Sequence, residues 1–269
     1  MDLFFRKYGE AGPPLIIVHG LYGASDNWVN IARDLSDTFE VYVVDQRNHG
    51  DSPHDDIHDY PSMADDLCAF MDEQGIEKAS LMGHSMGGKT AMLFAIRCPH
   101  RVASLVVIDM APVAYHDLAL HSHIAANHAK MIDAMMAVDL DRMETRAEVS
   151  AALATDIGSE RVRMFLMKNL TRDKNKQFVW KLNLPALRKN LDAIMDAIPM
   201  EEAVEKGGLK GFPVLFIAGE RSDYIRLEDH NTIRKLFPTA EIVSIPNAGH
   251  WVHAEQPELL KKNLRFFFS

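Results

Sequence analysis

The sequence predicts an α/β fold, a mostly parallel sheet with helices on both faces and an inserted helical cap. Three observations predict it. Short runs such as residues 15–18 (Leu-Ile-Ile-Val) and 214–217 (Val-Leu-Phe-Ile) are apolar throughout, as strands covered on both faces are. These runs alternate with segments of helical spacing, the rhythm of a layered parallel sheet. Between about Pro112 and Gly208 that rhythm stops, no strand-like run occurs, and helical periodicity with frequent Met and Ala takes over. The expected organisation is a core made of residues 1–111 and 209–269, with residues 112–208 as the cap.

Each element has its own signal. The apolar run at 15–18 is closed by His19-Gly20, and Gly20-Leu-Tyr-Gly23 reads as a turn before a short helix over 26–35. Residues 41–44 (Val-Tyr-Val-Val) form the next strand, ending at Asp45 and the loop Arg47-Asn-His-Gly-Asp-Ser52. Met63, Leu67, Phe70 and Met71 lie at helical spacing within 62–74, and Gly75 stops that helix. Leu81-Met82 lead into a turn at Ser85 and a helix from Met86, and 104–108 is another buried strand. After the insertion come a strand at 214–217, a helix over 227–237, a strand at 242–245, the loop Asn247-Ala-Gly-His250 and a closing helix over 257–267.

Composition narrows the function. With 269 residues, 47% hydrophobic and 25% charged, the chain is long enough for one α/β domain with an insertion. A net charge of −9 offers no basic face, so no nucleic-acid partner is expected. No run of about 18 apolar residues suggests a membrane span, and the opening Met-Asp-Leu-Phe-Phe-Arg has no signal-peptide core. Cys68 and Cys98 read as buried free thiols, which fits a reducing cytoplasm. Oligomeric state is not legible, and a homodimer stays open.

The chemistry centres on Gly83-His-Ser-Met-Gly87. Strand, sharp turn and helix around G-x-S-x-G form a nucleophile elbow, which lifts a serine hydroxyl clear of a sheet. Gly83 and Gly87 flank Ser85 because backbone must approach closely there. The same letters, extended to Gly88-Lys89-Thr90, also satisfy the phosphate-cradling G-x-x-x-x-G-K-[ST], and Leu105-Val-Val-Ile-Asp109 looks like a strand ending in a metal-binding aspartate. Context favours the elbow. His250 lies in a Gly-containing loop after the last strand, in the order Ser, acid, His expected of a triad on such a sheet. In this reading Lys89 and Thr90 are ordinary residues of the first helical turns. The backbone N–H groups of Leu21, after the first strand, and of Met86 would form an oxyanion hole.

His19-Gly-Leu-Tyr-Gly23, Asp45-Gln-Arg-Asn-His-Gly-Asp-Ser52, Gly83-His-Ser-Met-Gly-Gly-Lys-Thr90, Ile108-Asp-Met-Ala-Pro112 and Pro246-Asn-Ala-Gly-His-Trp251 together resemble the YbfF-like serine esterases of the α/β-hydrolase fold. The likeness covers nearly the whole chain and is weakest in the cap. It implies an α/β-hydrolase fold and hydrolysis of short-to-medium acyl esters, with some acyl-thioester activity and no cofactor. The small-molecule partner would be an acyl ester or thioester. The acid has two candidates. Asp223 follows the strand at 214–217, the usual place, 27 positions before His250. The relatives that the chain resembles have their acid at the end of the preceding strand, which implies Asp109. Asp109 is the preferred acid and Asp223 the alternative; Ser222, at the usual register, carries no charge.

Other residues read more plainly. His116, His121, His123 and His128 crowd the start of the cap, but their spacing does not set three on one helical face. No metal is expected, and lining an entrance or facing solvent is the preferred role. Arg47 and His49 brace their loop, His253 contacts the catalytic loop or lies at the surface, and Met131, Met135, Met136, Met164 and Met167 are mostly core, with some free to line an adaptable acyl pocket. Other triad chemistry on the same fold, carbon–carbon bond hydrolysis or perhydrolysis, stays open. A non-catalytic ligand binder and a P-loop nucleotide binder are the readings from other classes.

Overall fold

The computed structural model describes residues 1–116 and 122–269 of the chain. The main sheet has strands β1 (Phe5–Tyr8), β2 (Pro14–Val18), β3 (Glu40–Val44), β4 (Ala79–His84), β5 (Val102–Ile108), then β8 (Val214–Gly219) and β9 (Glu241–Ile245). The intervening pair, β6 (Leu170–Arg172) and β7 (Phe178–Trp180), forms a separate small antiparallel hairpin. Spatial order is β1-β3-β2-β4-β5-β8-β9. All neighbours run parallel except β1, which pairs antiparallel with β3. The sequence reading missed β1, whose FRKY carries little apolar signal because it lies half-covered at the sheet edge.

Side chains alternate along each strand into two cores, as a pleated sheet requires. Leu15, Ile17, Met82, Val106 and Ile217 face one side, packing on Trp28 and on helices α1 (Val29–Leu35) and α12 (Pro257–Phe268). Ile16, Val18, Leu81, Val107 and Phe216 face the other, against α2 (Tyr60–Glu73), α3 (Met86–Arg97) and α10 (Asp229–Leu236). Helix α2 starts as its sequence dictates, with the Asp59 carboxylate accepting from Ser62 N at 2.8 Å. Between α10 and α12 lie β9 and the short helix α11 (Val252–Glu255).

Between β5 and β8 the chain inserts α4 (Ser122–Ala137), α5 (Arg146–Ala154), α6 (Glu160–Leu166), the hairpin, α7 (Leu184–Lys189), α8 (Leu191–Met195) and α9 (Glu201–Glu205). Among the described residues the only strands in this stretch are those of the hairpin. Its strands are three residues each, too short to show a period of two, and its loop is closed by the Asp173 carboxylate accepting from Asn175 N and Gln177 N, both at 2.9 Å.

Register sets up the site. Gly83 and His84 of β4 lie level with Val107 and Ile108 of β5, and Ile108 lies level with Ile217 of β8. Consequently Ser85 and Asp109 leave the sheet side by side at its carboxyl edge, next to the Ala218-Gly219 step that ends β8. Ser85 N donates to Ile108 O at 3.0 Å and Asp109 N to Ile217 O at 2.7 Å, so the sheet's hydrogen bonding extends into the first residue of each turn.

Candidate active site

Ser85 sits between β4 and α3 with φ of 53° and ψ of −123°, a left-handed conformation that costs a side-chain-bearing residue about 1–3 kcal/mol. Neighbouring glycines make the turn feasible. A Cβ on Gly83 would lie 2.2 Å from Gly87 O, and one on Gly87 would lie 2.2 Å from Val18 O. No other residue fits either place. With this turn in place, α3 begins at Met86 directly behind the serine hydroxyl.

The hydroxyl is partnered. Ser85 Oγ donates to His250 Nε2 at 2.9 Å, and His250 Nδ1–H donates to Asp109 Oδ2 at 2.8 Å. The ring has a single consistent tautomer, with its proton on Nδ1 facing the carboxylate. Asp109 is fully buried, and its other oxygen accepts from Gly219 N at 2.9 Å. Ser222 Oγ also donates to the Asp109 oxygen that His250 uses. Burial pushes the Asp109 carboxyl above the usual range, while the Ser222 and Gly219 donors hold it down. Burial likewise pushes the His250 imidazole below its ordinary value, so it is a neutral base at neutral pH. Asp223, the alternative acid, is 58% exposed and pairs with His123 at 3.5 Å and Arg226 at 3.3 Å. It does not meet His250.

The ring of Tyr224 stacks on the His250 imidazole, centroids 3.7 Å apart and planes 16° apart. His84 Nε2–H donates to His250 O at 2.8 Å, fixing the loop that carries the histidine.

The stretch after β2 is held as firmly. His19 Nε2 accepts from Gln46 N at 2.9 Å, and its Nδ1–H donates to Gly20 O at 2.8 Å. His49 Nε2 accepts from Tyr22 N at 3.2 Å while its Nδ1–H donates to Arg47 O at 2.9 Å. Burial keeps both imidazoles neutral, His19 pushed down to about 4 and His49 to about 3, as their donor and acceptor roles require. Arg47 grips Asp66 with Nε at 2.6 Å and Nη2 at 2.9 Å. Arg47 and His49 therefore brace this loop, as expected. Among the described residues the Leu21 and Met86 amides have no acceptor, and both residues line the recess above Ser85.

Lys89 and Thr90 are not ordinary helix residues. Both are buried, with Lys89 fully so. Thr90 Oγ1 donates to Gln46 Oε1 at 2.9 Å, joining α3 to the strand end at Asp45. Lys89 Nζ donates to Asp196 O at 2.5 Å and lies 4.6 Å from the Tyr115 ring centroid and 5.4 Å from that of Tyr60. A lysine committed in this way cannot reach a phosphate at the elbow, which removes the basis of the P-loop reading. Tyr60 Oη donates to Ile194 O at 2.6 Å and Tyr115 N to Met195 O at 2.7 Å. Of three successive carbonyls at the end of α8, those of Ile194 and Asp196 are thus held by core side chains and that of Met195 by the start of the insertion.

Two spaces adjoin the triad. A cavity of about 420 Å³ lies between the insertion and the loops of the core, lined by Ile124, Met131, Val162, Arg221, His250 and Trp251 among others. A recess of about 10 Å³, room for roughly one water-sized group, lies above Ser85, Leu21 and Met86 and is closed by Met110, Ile194 and Met195.

The remaining expectations divide. His116 and His123 are exposed, and His123 and His128 line the large cavity, His128 from a buried position and not facing solvent. His121 lies outside the described residues. No cluster that could hold a metal occurs among the described residues. His253 contacts the catalytic loop's neighbours, stacking on Trp28 at 4.4 Å and meeting His84 edge-on at 4.9 Å. Met135 and Met167 are core, Met131 lines the cavity, while Met136 and Met164 are exposed, because the helices carrying them turn one face outward. Cys68 and Cys98 are free thiols but only half-buried. Sequence reasoning missed Tyr224, which stacks on His250, and the hydrogen bond from Ser222 to Asp109.

A buried Ser–His–Asp chain at the carboxyl edge of a parallel sheet defines a class of hydrolase. Residues 13–257 match the family model of the alpha/beta hydrolase fold, and the chain belongs to that family. It is 36% identical to the esterase YbfF of Escherichia coli over 95% of its own length and 93% of that protein. It is 37% identical to the sn-1-specific diacylglycerol lipase ABHD11 of Mus musculus, covering 91% of this chain and 78% of that one. Among solved structures, a marine microorganism esterase superposes with a TM-score of 0.92 at 43% identity, covering 99% of both chains.

Proposed function

We propose that this chain is a serine ester hydrolase that takes short-to-medium acyl esters or thioesters through an acyl-enzyme on Ser85. One observation carries the reading: an unbroken hydrogen-bonded path from Ser85 Oγ through His250 to a buried Asp109, 2.9 and 2.8 Å in length. His250 Nε2 takes the hydroxyl proton as Oγ bonds to the carbonyl carbon, and the carbonyl oxygen becomes an oxyanion on the Leu21 and Met86 amides. Collapse expels the alkoxide or thiolate, which takes the proton back from His250. Water then repeats the sequence and frees the acid. Asp109 stays a carboxylate throughout and holds the imidazolium that forms. Residues 112–208 act as the cap that excludes water from the carbonyl. No part of this sequence calls on a cofactor.

The test is intact-mass analysis after exposure to a fluorophosphonate. One adduct per chain on wild type and none on Ser85→Ala is the expected result. Wild type left unmodified while ester cleavage persists would remove Ser85 from the mechanism.

A further inference from the structure

Helix α2 turns one stripe toward the end of α3. Asp65, Cys68 and Asp72 are spaced by three and four positions, which sets them on one helical face. Facing them are Arg97, Cys98 and Arg101, at the last residue of α3 and just beyond it. Arg97 Nη1 donates to Asp65 Oδ1 at 2.8 Å, and Arg101 Nη1 to Asp72 Oδ1 at 2.6 Å. Between these two ion pairs the Cys98 thiol lies within hydrogen-bonding reach of the Cys68 thiol. The ion pairs bracket the thiols and hold them in register, although the sequence sets the cysteines thirty positions apart.

The two sulfurs differ in their surroundings. Arg101 Nη1 also donates to Cys68 Sγ at 3.4 Å, and Arg101 Nη2 donates to Ile76 O at 2.8 Å. A thiolate formed on Cys68 therefore has a fixed guanidinium as its counter-charge. Burial pushes the Cys98 thiol up, and the Cys68 thiol beside it adds to this. Both side chains are half-buried, open enough for a small reagent.

We infer that Cys68 and Cys98 form a reversible disulfide that staples α2 to α3 when a small-molecule disulfide is present. The Cys68 thiolate attacks one sulfur of that reagent and expels a thiolate, leaving a mixed disulfide. Cys98 then gives up its proton, attacks the Cys68 sulfur and expels the second thiolate. Two protein thiols lose two electrons, the sulfur–sulfur bond of the reagent gains them, and the two protons released go to the two small thiolates. The closed loop contains β4, Ser85 and α3, so the crosslink removes freedom from the unfolded chain in the segment that carries the nucleophile. Cys98 follows the far end of a twelve-residue helix from Ser85, about 18 Å away by helical rise, so the triad is undisturbed. The staple goes beyond the hydrolytic reading and does not rest on it.

The test treats folded protein with oxidised glutathione, stops the reaction with iodoacetamide and reads intact mass and a peptide map. Wild type is expected to become two hydrogens lighter, with a Cys68–Cys98 crosslink and neither glutathione nor an alkyl group attached. Cys98→Ser, lacking the second thiol, is expected to stop with one glutathione on Cys68. The oxidised form is expected to unfold at about 1 M higher urea, as closing a loop of this length predicts, and dithiothreitol to return it to the starting midpoint. Fluorophosphonate labelling of Ser85 is expected to run alike in both forms. Wild type with both thiols left free, with glutathione on each, or crosslinked between chains overturns the inference. An unchanged or lower midpoint overturns it too, as does labelling lost only on oxidation, which would make the bond a switch against activity and not a staple. Mass and midpoint are read without any ester. A chain that labelled in neither form would sink the hydrolase reading and leave the staple standing.

Discussion

At the residue scale, Ser85 and His250 were legible because each sits in a short motif whose geometry is local. The acid was not, because Asp109 and Asp223 both follow strand ends, and only the register of β5 against β8 decides which one lies under His250. Ser222 was dismissed for lacking charge, yet its hydroxyl donates to the carboxylate of Asp109. The one available signal was its position at the usual acid register, beside a carboxylate on the next strand. Asp109→Asn is expected to lower kcat/KM by about 10³–10⁴-fold, the cost of a misoriented imidazole in such triads, with Asp223→Asn within about threefold of wild type. Steady-state ester hydrolysis reads both. The pH profile follows from burial of His250. Its folded pKa is lowered, so the neutral base persists into acid, and the acid limb of kcat/KM is expected below the ordinary histidine value of 6.5. The Asp109 carboxyl, which burial pushes up to about 7, can also set this limb. The assignment of His250 as a desolvated base is therefore contradicted only if the midpoint stays above 6.5 in Asp109→Asn, where that carboxyl is gone.

At the element scale, α3 does more than present the nucleophile. Its glycines touch backbone on both sides, so Gly87→Ala forces the helix off β2, where Val18 O stands 2.2 Å from the new carbon. A loss of about 3 kcal/mol is expected, at the upper end of ordinary overpacking, read from urea unfolding midpoints. Burial lowers the Lys89 ammonium to about 7 against an unfolded 10.5. Between those values the unfolded chain binds a proton that the native chain does not, so stability rises with pH across the window. Below about 7 the charged, buried amine is a standing cost. Lys89→Met is expected to flatten that rise, measured as the difference in unfolding free energy from wild type at pH 7 and at pH 10. The motif named Lys89 but not its surroundings, since Tyr60, Tyr115 and Asp196 come from three distant stretches. The hairpin was illegible for a different reason, being held by loop chemistry and not by any periodic pattern.

At the scale of the whole molecule, the insertion is riveted to the core along one side. Asn183 N donates to Asn48 O at 3.1 Å, Asn169 Nδ2 to Tyr22 O at 2.8 Å, and Asn190 Nδ2 to Asp56 O at 2.8 Å. Lys181 pairs with Asp51 at 2.6 Å, and the carbonyls of Ile194 and Asp196 take donors from Tyr60 and Lys89. Such fastening is expected to make the insertion and the core one cooperative unit. Trp28 reports on the core, and Trp180, whose Nε1 donates to Met135 O at 3.1 Å, reports on the insertion. Denaturant curves from Trp28→Phe and Trp180→Phe variants are expected to share one midpoint with far-UV dichroism. Separate midpoints would mean that the cap opens by itself. The order of strands and helices was read from the sequence almost throughout, whereas this fastening was not, because side-chain amides carry no pattern until the chain is folded.

The adjacency of Asp109 and Ser222 makes the place of the carboxylate exchangeable. Two neighbouring strand ends face the same imidazole, and the hydroxyl on one already touches the carboxylate on the other. A lineage could therefore pass its acid across the gap between strands by exchanging two side chains, without rebuilding a loop. The exchange can be replayed: Asp109→Ser with Ser222→Asp is expected to recover at least about tenfold over Asp109→Ser alone, a fraction of what a well-placed triad acid is worth. Adding Ser222→Asp to an intact Asp109 is expected to hinder the enzyme, since two carboxylates at one imidazole repel. Drift between the two forms would then have to run through the weakened serine intermediate.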